Sequence, residues 1–170
     1  MMYPEIVIAG CGNPLFADDG FGPAVAEEMF RIPLPGNVMV QDAGTSAPYY
    51  LVPMLDPAVT KKLIIIDITD FGGEPGRIIR LETGDLNPEG IHDSHNGGII
   101  ESLQCIRNKI EIIIIGCQPK HVSYPVMEIG LSDEVIRAIP TTLRIIGDLL
   151  DDDRRDTCDR SIGKKPADVP

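Results

Sequence analysis

Two adjacent carboxylates, Asp18 and Asp19, follow the glycine-rich stretch Gly10-Cys11-Gly12-Asn13-Pro14. Further along stand two more acids, Asp42 and Asp67, then His95 and Cys117, each beside an apolar run or a helical pattern. Carboxylate oxygen combined with imidazole nitrogen suits a divalent metal such as nickel or zinc better than magnesium. Ligation requires the neutral imidazole. A histidine at a helix N-terminus sits near the positive end of the helix dipole, which disfavours the imidazolium, and His95 occupies such a place. Three protein ligands would leave open positions for water or a substrate group.

Each of these residues also has a plainer reading. Asp18 and Asp19 could simply favour the start of a helix, Asp18 more than Asp19. Asp42 and Asp67 could be ordinary turn residues, and His95 a cap or surface residue. His92 and His121 read as solvated loop residues. Cys11 and Cys117 both end strands, which could bring them near each other, and they read as small buried residues filling the sheet end. Cys105 falls on or near the apolar side of a helix, and Cys158 lies in the polar stretch that follows Leu150.

The elements that would position these groups alternate between strand and helix. Ile6 to Ala9 reads as a buried strand ending at Gly10. A helix follows over Ala24 to Phe30, with Pro23 in its first turn and Phe21, Val25 and Met29 as its buried stripe. Val38 to Val40 is a second strand, ending at Asp42. Thr45 or Ser46 can cap a second helix reaching about Leu55. Lys62 to Ile66 is a third strand, closed by Asp67. Arg77 to Leu81 reads as an edge strand because charges flank its apolar centre. A third helix opens near His92 to His95 and carries Ile99, Ile100, Leu103 and Ile106 at helical spacing. Ile112 to Ile115 is another apolar strand, ending at Gly116-Cys117. Ser132 can cap a last helix, which Pro140 should kink or divide.

Strands without polar alternation need cover on both faces, so the order predicts a three-layer α/β sandwich with a mainly parallel, twisted sheet flanked by helices. In such sheets ligands bind beyond the carboxyl ends of the strands. Asp19, Asp42, Asp67 and His95 are thereby expected on one rim. Residues 1–150 form the single domain, and 151–170 a mobile polar tail with little apolar surface to bury.

The chain of 170 residues, 43% hydrophobic, has the size and composition of one packed domain. Its formal net charge of −11 disfavours nucleic acid and anionic membranes as partners. No cysteine stands in a C-x-x-C pair, the N-terminus lacks the positive region of a signal peptide, and the longest aliphatic runs are too short to span a bilayer. These features are read as a cytoplasmic protein with reduced thiols. A dinucleotide site is poorly supported, because Leu15 breaks the G-x-G-x-x-G pattern. G-x-S-x-G and H-E-x-x-H are both missing.

The run from Gly10 to Gly22, Gly-Cys-Gly-Asn-Pro-Leu-Phe-Ala-Asp-Asp-Gly-Phe-Gly, resembles the first motif of the nickel-iron hydrogenase maturation endopeptidases. The resemblance continues in Asp42-Ala43-Gly44-Thr45, in Leu63 to Asp67 and in Ser94-His95, and covers most of Ile6 to Leu150. Ala43 departs from the usual glycine. Cys11 between the glycines is similar to archaeal members serving coenzyme F420-reducing hydrogenases. The resemblance implies an endopeptidase that removes the C-terminal extension of the hydrogenase large-subunit precursor once nickel is inserted. It implies Asp19, Asp67 and His95 as metal ligands and Asp42 near the scissile region. Nickel would be borne by the substrate as recognition signal, though the free site could hold another divalent metal. A non-catalytic, metal-dependent binding module that escorts the large subunit would keep the same ligands and is the alternative.

Overall fold

The computed structural model describes residues 3–82, 103 and 105–162. Five strands form one sheet: β1 (Ile6–Cys11), β2 (Val38–Gly44), β3 (Lys62–Ile68), β4 (Ile78–Glu82) and β5 (Glu111–Cys117), in the order β2-β1-β3-β5-β4. β1 runs parallel to both β2 and β3, and β3 parallel to β5. β4 closes the edge antiparallel to β5. The expected mainly parallel sheet is therefore present, with Arg80 and Glu82 on its antiparallel margin. Both lie in the outermost strand, where exposed charges discourage further strand pairing.

The central strands are buried along their whole length, with the burial unbroken in β1 and β3. Side chains alternate between two cores. One holds Val7, Ala9, Cys11, Leu63 and Ile65 with Leu51 and Leu55. The other holds Ile8, Ile64, Ile66, Ile113 and Ile115 with Phe21, Val25 and Met29 of the first helix. That helix, α1, spans Phe21–Met29, and α2 spans Ala47–Met54. α1 starts three residues earlier than the apolar pattern suggested, because Phe21 itself is fully buried and supplies the first knob of its stripe. Ser46 occupies the position before α2 without a side-chain capping bond.

The last described helix, α3, is continuous over Asp133–Ile162, with Pro140 inside it. Pro140 is the eighth residue of this helix, and the helix runs through it without being divided. Nor does the helix stop at Leu150. Leu149 and Leu150 are the last of its buried apolar residues, and beyond them it continues as a polar helix. There the Asp153 carboxylate meets the buried Lys62 ammonium at 2.7 Å. The boundary near Leu150 marks the end of the apolar face rather than the end of the helix. Cys105 is exposed rather than on an apolar face. His92, His95, Ile99 and Ile100, with the start of the expected third helix, lie outside the described residues. Among the described residues no helix is long and apolar enough to cross a membrane.

One close approach ties the sheet to α1. A Cβ at Gly22 would fall 2.1 Å from the Cys11 carbonyl oxygen and 2.5 Å from that of Ile66. Only glycine lets the helix start sit against the ends of β1 and β3. Gly22→Ala should cost about 1–3 kcal/mol through forced separation. Gly147, exposed on α3 with nothing within 4 Å, is the control: Gly147→Ala should stabilise by up to ~1 kcal/mol. Urea unfolding midpoints of the two variants check both signs.

Candidate active site at the carboxyl ends of the strands

The site is built on the turn between β1 and α1. Gly12 has φ +121°, and a Cβ there would lie 2.0 Å from the Asp19 carbonyl oxygen. The turn therefore folds back on itself at a glycine. The Asn13 amide then donates to both the Asp19 carbonyl at 2.9 Å and the Asp19 Oδ2 at 3.1 Å. Asp19 is thus held by backbone at the end of β1, with its side chain almost wholly buried.

Asp67 is buried in β3, level with Gly116 of β5, and its Oδ1 accepts from the Ile68 amide at 2.8 Å. Strand alternation puts it on the same face as Ile65 and Cys11. Asp42 sits in β2 opposite Gly10 and is exposed. Its Oδ1 accepts from the Gly44 amide at 3.1 Å. Burial pushes the Cys11 thiol far above its ordinary value, and the charges of Asp67 and then Asp42 raise it further. The thiol feels both carboxylates because all three groups meet at one end of the sheet.

Asp18 does something else. Its carboxylate is fully buried and accepts four hydrogen bonds. The donors are the Lys120 and His121 amides at 2.8 and 2.9 Å, the Ser132 amide at 2.7 Å and the Ser132 hydroxyl at 3.0 Å. The expectation that Asp18 is structural fits this, but the partner is the distant chain between β5 and α3 rather than the start of α1. Ser132 spends its hydroxyl proton on Asp18. The His121 ring is half exposed and pairs with Glu128 at 3.1 Å.

Sequence reasoning passed over two features. Gln118, just past β5, is buried; its Oε1 accepts from the Phe71 and Gly73 amides at 2.9 and 3.0 Å, and its Nε2 donates to Asp70 at 3.0 Å. It organises the loop after β3. The second feature is an open groove of about 430 Å³ that includes Asp42 and is lined by Pro23 and Ala24 of α1, by Phe30, and by Ile129 and Leu131. The only hint in the sequence is a cluster of apolar residues that includes Ile129 and Leu131, in a stretch without helical or strand period.

The two strand-end cysteines do not meet. Cys11 belongs to one core and Cys117 to the other, on opposite faces of the sheet. The Cys117 thiol is pushed up to about 12, by burial first and then by the Asp18 charge.

Three carboxylates thus gather at one end of the sheet, and His95 lies outside the described residues. Among the described residues no group of three or more His, Cys, Asp or Glu side chains is arranged to hold a metal ion. A family model for hydrogenase maturation proteases matches residues 23–148. The chain belongs to the hydrogenase maturation protease family. It is a peptidase by that membership. The coenzyme F420 hydrogenase subunit delta of Methanothermobacter thermautotrophicus is 38% identical over 148 residues, 85% of this chain and 93% of that protein. The hydrogenase 3 maturation protease of Escherichia coli is 31% identical over 119 residues, 69% of this chain and 75% of that one. The fold is also that of the solved hydrogenase maturating endopeptidase HybD from E. coli, with a TM-score of 0.74 at 23% identity, covering 88% of this chain and 93% of that one.

For this maturation protease the site's scaffold yields two checks. Asp18→Ala leaves three part-buried backbone amides without their acceptor and should cost about 2–4 kcal/mol in chemical unfolding. The raised thiols of Cys11 and Cys117 favour the neutral form in the folded protein. The stability this reflects is intact below about pH 8.5 and is lost as pH rises, because the unfolded thiols ionise first. Melting temperature should therefore fall between about pH 8 and pH 10, and less so in a Cys11→Ala/Cys117→Ala variant.

Proposed function

We propose that this protease removes the C-terminal extension of the nickel-loaded large-subunit precursor of a nickel-iron hydrogenase. Nickel in the substrate is the recognition signal, and Asp19, Asp67 and His95 complete its coordination. Asp42 lies near the scissile bond. The observation that carries the reading is the gathering of Asp19, Asp42 and Asp67 at the carboxyl end of the sheet. Family membership supplies the class of reaction, and the similarity to the F420 hydrogenase subunit delta supports an archaeal type of hydrogenase as its context. The compartment proposed is the cytoplasm, where the cysteines would stay reduced.

The geometry suits a metal-gated cut. Carboxylates held by backbone amides keep their positions before the substrate arrives, so little reorganisation is needed on binding. Without nickel the ligand set gains nothing from the precursor. With nickel, binding energy becomes available to align the scissile peptide. A water molecule attacks the carbonyl carbon, losing a proton to a carboxylate or through the metal's polarisation. The C–N bond breaks, the leaving amine takes up a proton, and a new carboxylate remains on the large subunit.

Incubation with nickel-loaded and nickel-free precursors, read by intact mass, tests the proposal. The nickel-loaded precursor should lose its extension at many times the molar amount of protease, and the nickel-free one should not. Asp19→Asn, Asp67→Asn and His95→Ala should each slow cleavage by about 10²-fold or more while the fold persists by circular dichroism. Normal processing by His95→Ala would refute the ligand set. Tight binding without turnover would favour an escort module.

A further inference from the structure

The chain between β5 and α3 is built inside out. Its backbone is locked to the β1–α1 turn: the Ala17 amide donates to the Glu128 carbonyl at 2.7 Å, the Glu128 amide to the Leu15 carbonyl at 2.9 Å, and the Asp18 amide to the His121 carbonyl at 3.1 Å. The buried Asp18 carboxylate adds its four bonds, and the Phe16 ring meets Tyr124 edge-on at 5.2 Å. Yet Val126, Met127 and Ile129 are 70%, 70% and 81% exposed. A rigidly held loop that turns its apolar side chains to water has the character of an interaction surface.

We infer that the segment 122–131, together with the adjoining groove, is the docking surface for an extended apolar stretch of the hydrogenase large-subunit precursor. The inference rests on the proteolytic reading above and adds to it where the substrate is gripped. The occupant follows from continuity: the groove that Ile129 and Leu131 line also includes Asp42, at the sheet end where the carboxylates gather. A peptide that reaches those carboxylates with its scissile bond can lay its flanking residues along this groove. Glu27 and Asp42 are in the lining, and no lysine or arginine among the described residues is. The carboxylates disfavour an acidic occupant, and the apolar lining of Pro23, Phe30, Ile129 and Leu131 suits an apolar one. The loop is preorganised by its backbone bonds, so docking requires little ordering.

The test is Met127→Asp/Ile129→Asp in the full chain. Both side chains point to water, so the fold should survive, checked by circular dichroism and thermal melting. Binding of nickel-loaded precursor is measured by surface plasmon resonance, cleavage by intact mass, and self-association by sedimentation velocity. The expected result is precursor affinity weakened by about tenfold or more, with KM raised in proportion and kcat changed much less. Unchanged affinity overturns the inference. A wild-type dimer that the variant disperses, with precursor affinity unchanged, also overturns it and assigns the face to a second copy. Weakened binding in a wild-type background that never cleaves supports the docking surface while defeating the proteolytic reading. A wild-type chain that neither binds nor cleaves the precursor overturns both.

Discussion

The buried carboxylate of Asp18 is the contact on which the site's surroundings depend. A charge with no solvent exposure needs full compensation by hydrogen bonds. It obtains this from three backbone amides and one hydroxyl, all beyond β5. The consequence is topological. The turn after β1 and the chain leading into α3 are stitched together across a separation of more than a hundred residues. That stitch fixes both the floor under Asp19 and the loop that carries Val126, Met127 and Ile129.

A second constraint acts at the same place. Gly12 and Gly22 allow backbone to meet backbone at distances that any side chain would prevent. Gly12 brings the turn onto Asp19, and Gly22 brings α1 onto the ends of β1 and β3. Two neighbouring acids consequently have opposite work. Asp18 faces the α1 side, where Cys117 feels its charge, and serves the scaffold. Asp19 is clasped by Asn13 at the strand end, where Asp67 and Asp42 also arrive. The pair is one residue apart in sequence, and the turn sends one carboxylate to the chain beyond β5 and the other to the strand end.

Much of the fold is readable because its signals are strong and local. Ile64, Ile65 and Ile66 have no polar alternation, so β3 had to be covered on both faces, and it is. The flanking charges of β4 marked it as an edge, and among the described residues it pairs with β5 alone. Where local signals mislead, a tertiary contact is the reason. The polar run after Leu150 looks unable to stay ordered, but the helix carries on from its apolar part, and Asp153 finds the buried Lys62. Cys11 and Cys117 both end strands, yet parity sends them to opposite faces.

The sequence by itself determined the family, the α/β class and the set of strand-end acids. The reason is that motif spacing and hydrophobic period are properties of the chain order. Only the tertiary structure decided that Asp18 anchors the chain beyond β5 rather than the start of α1, that Gln118 organises the loop after β3, and that the apolar groove opens beside Asp42. Each of these depends on which backbone amides and side chains from distant segments converge in space, and one-dimensional spacing carries no record of that convergence.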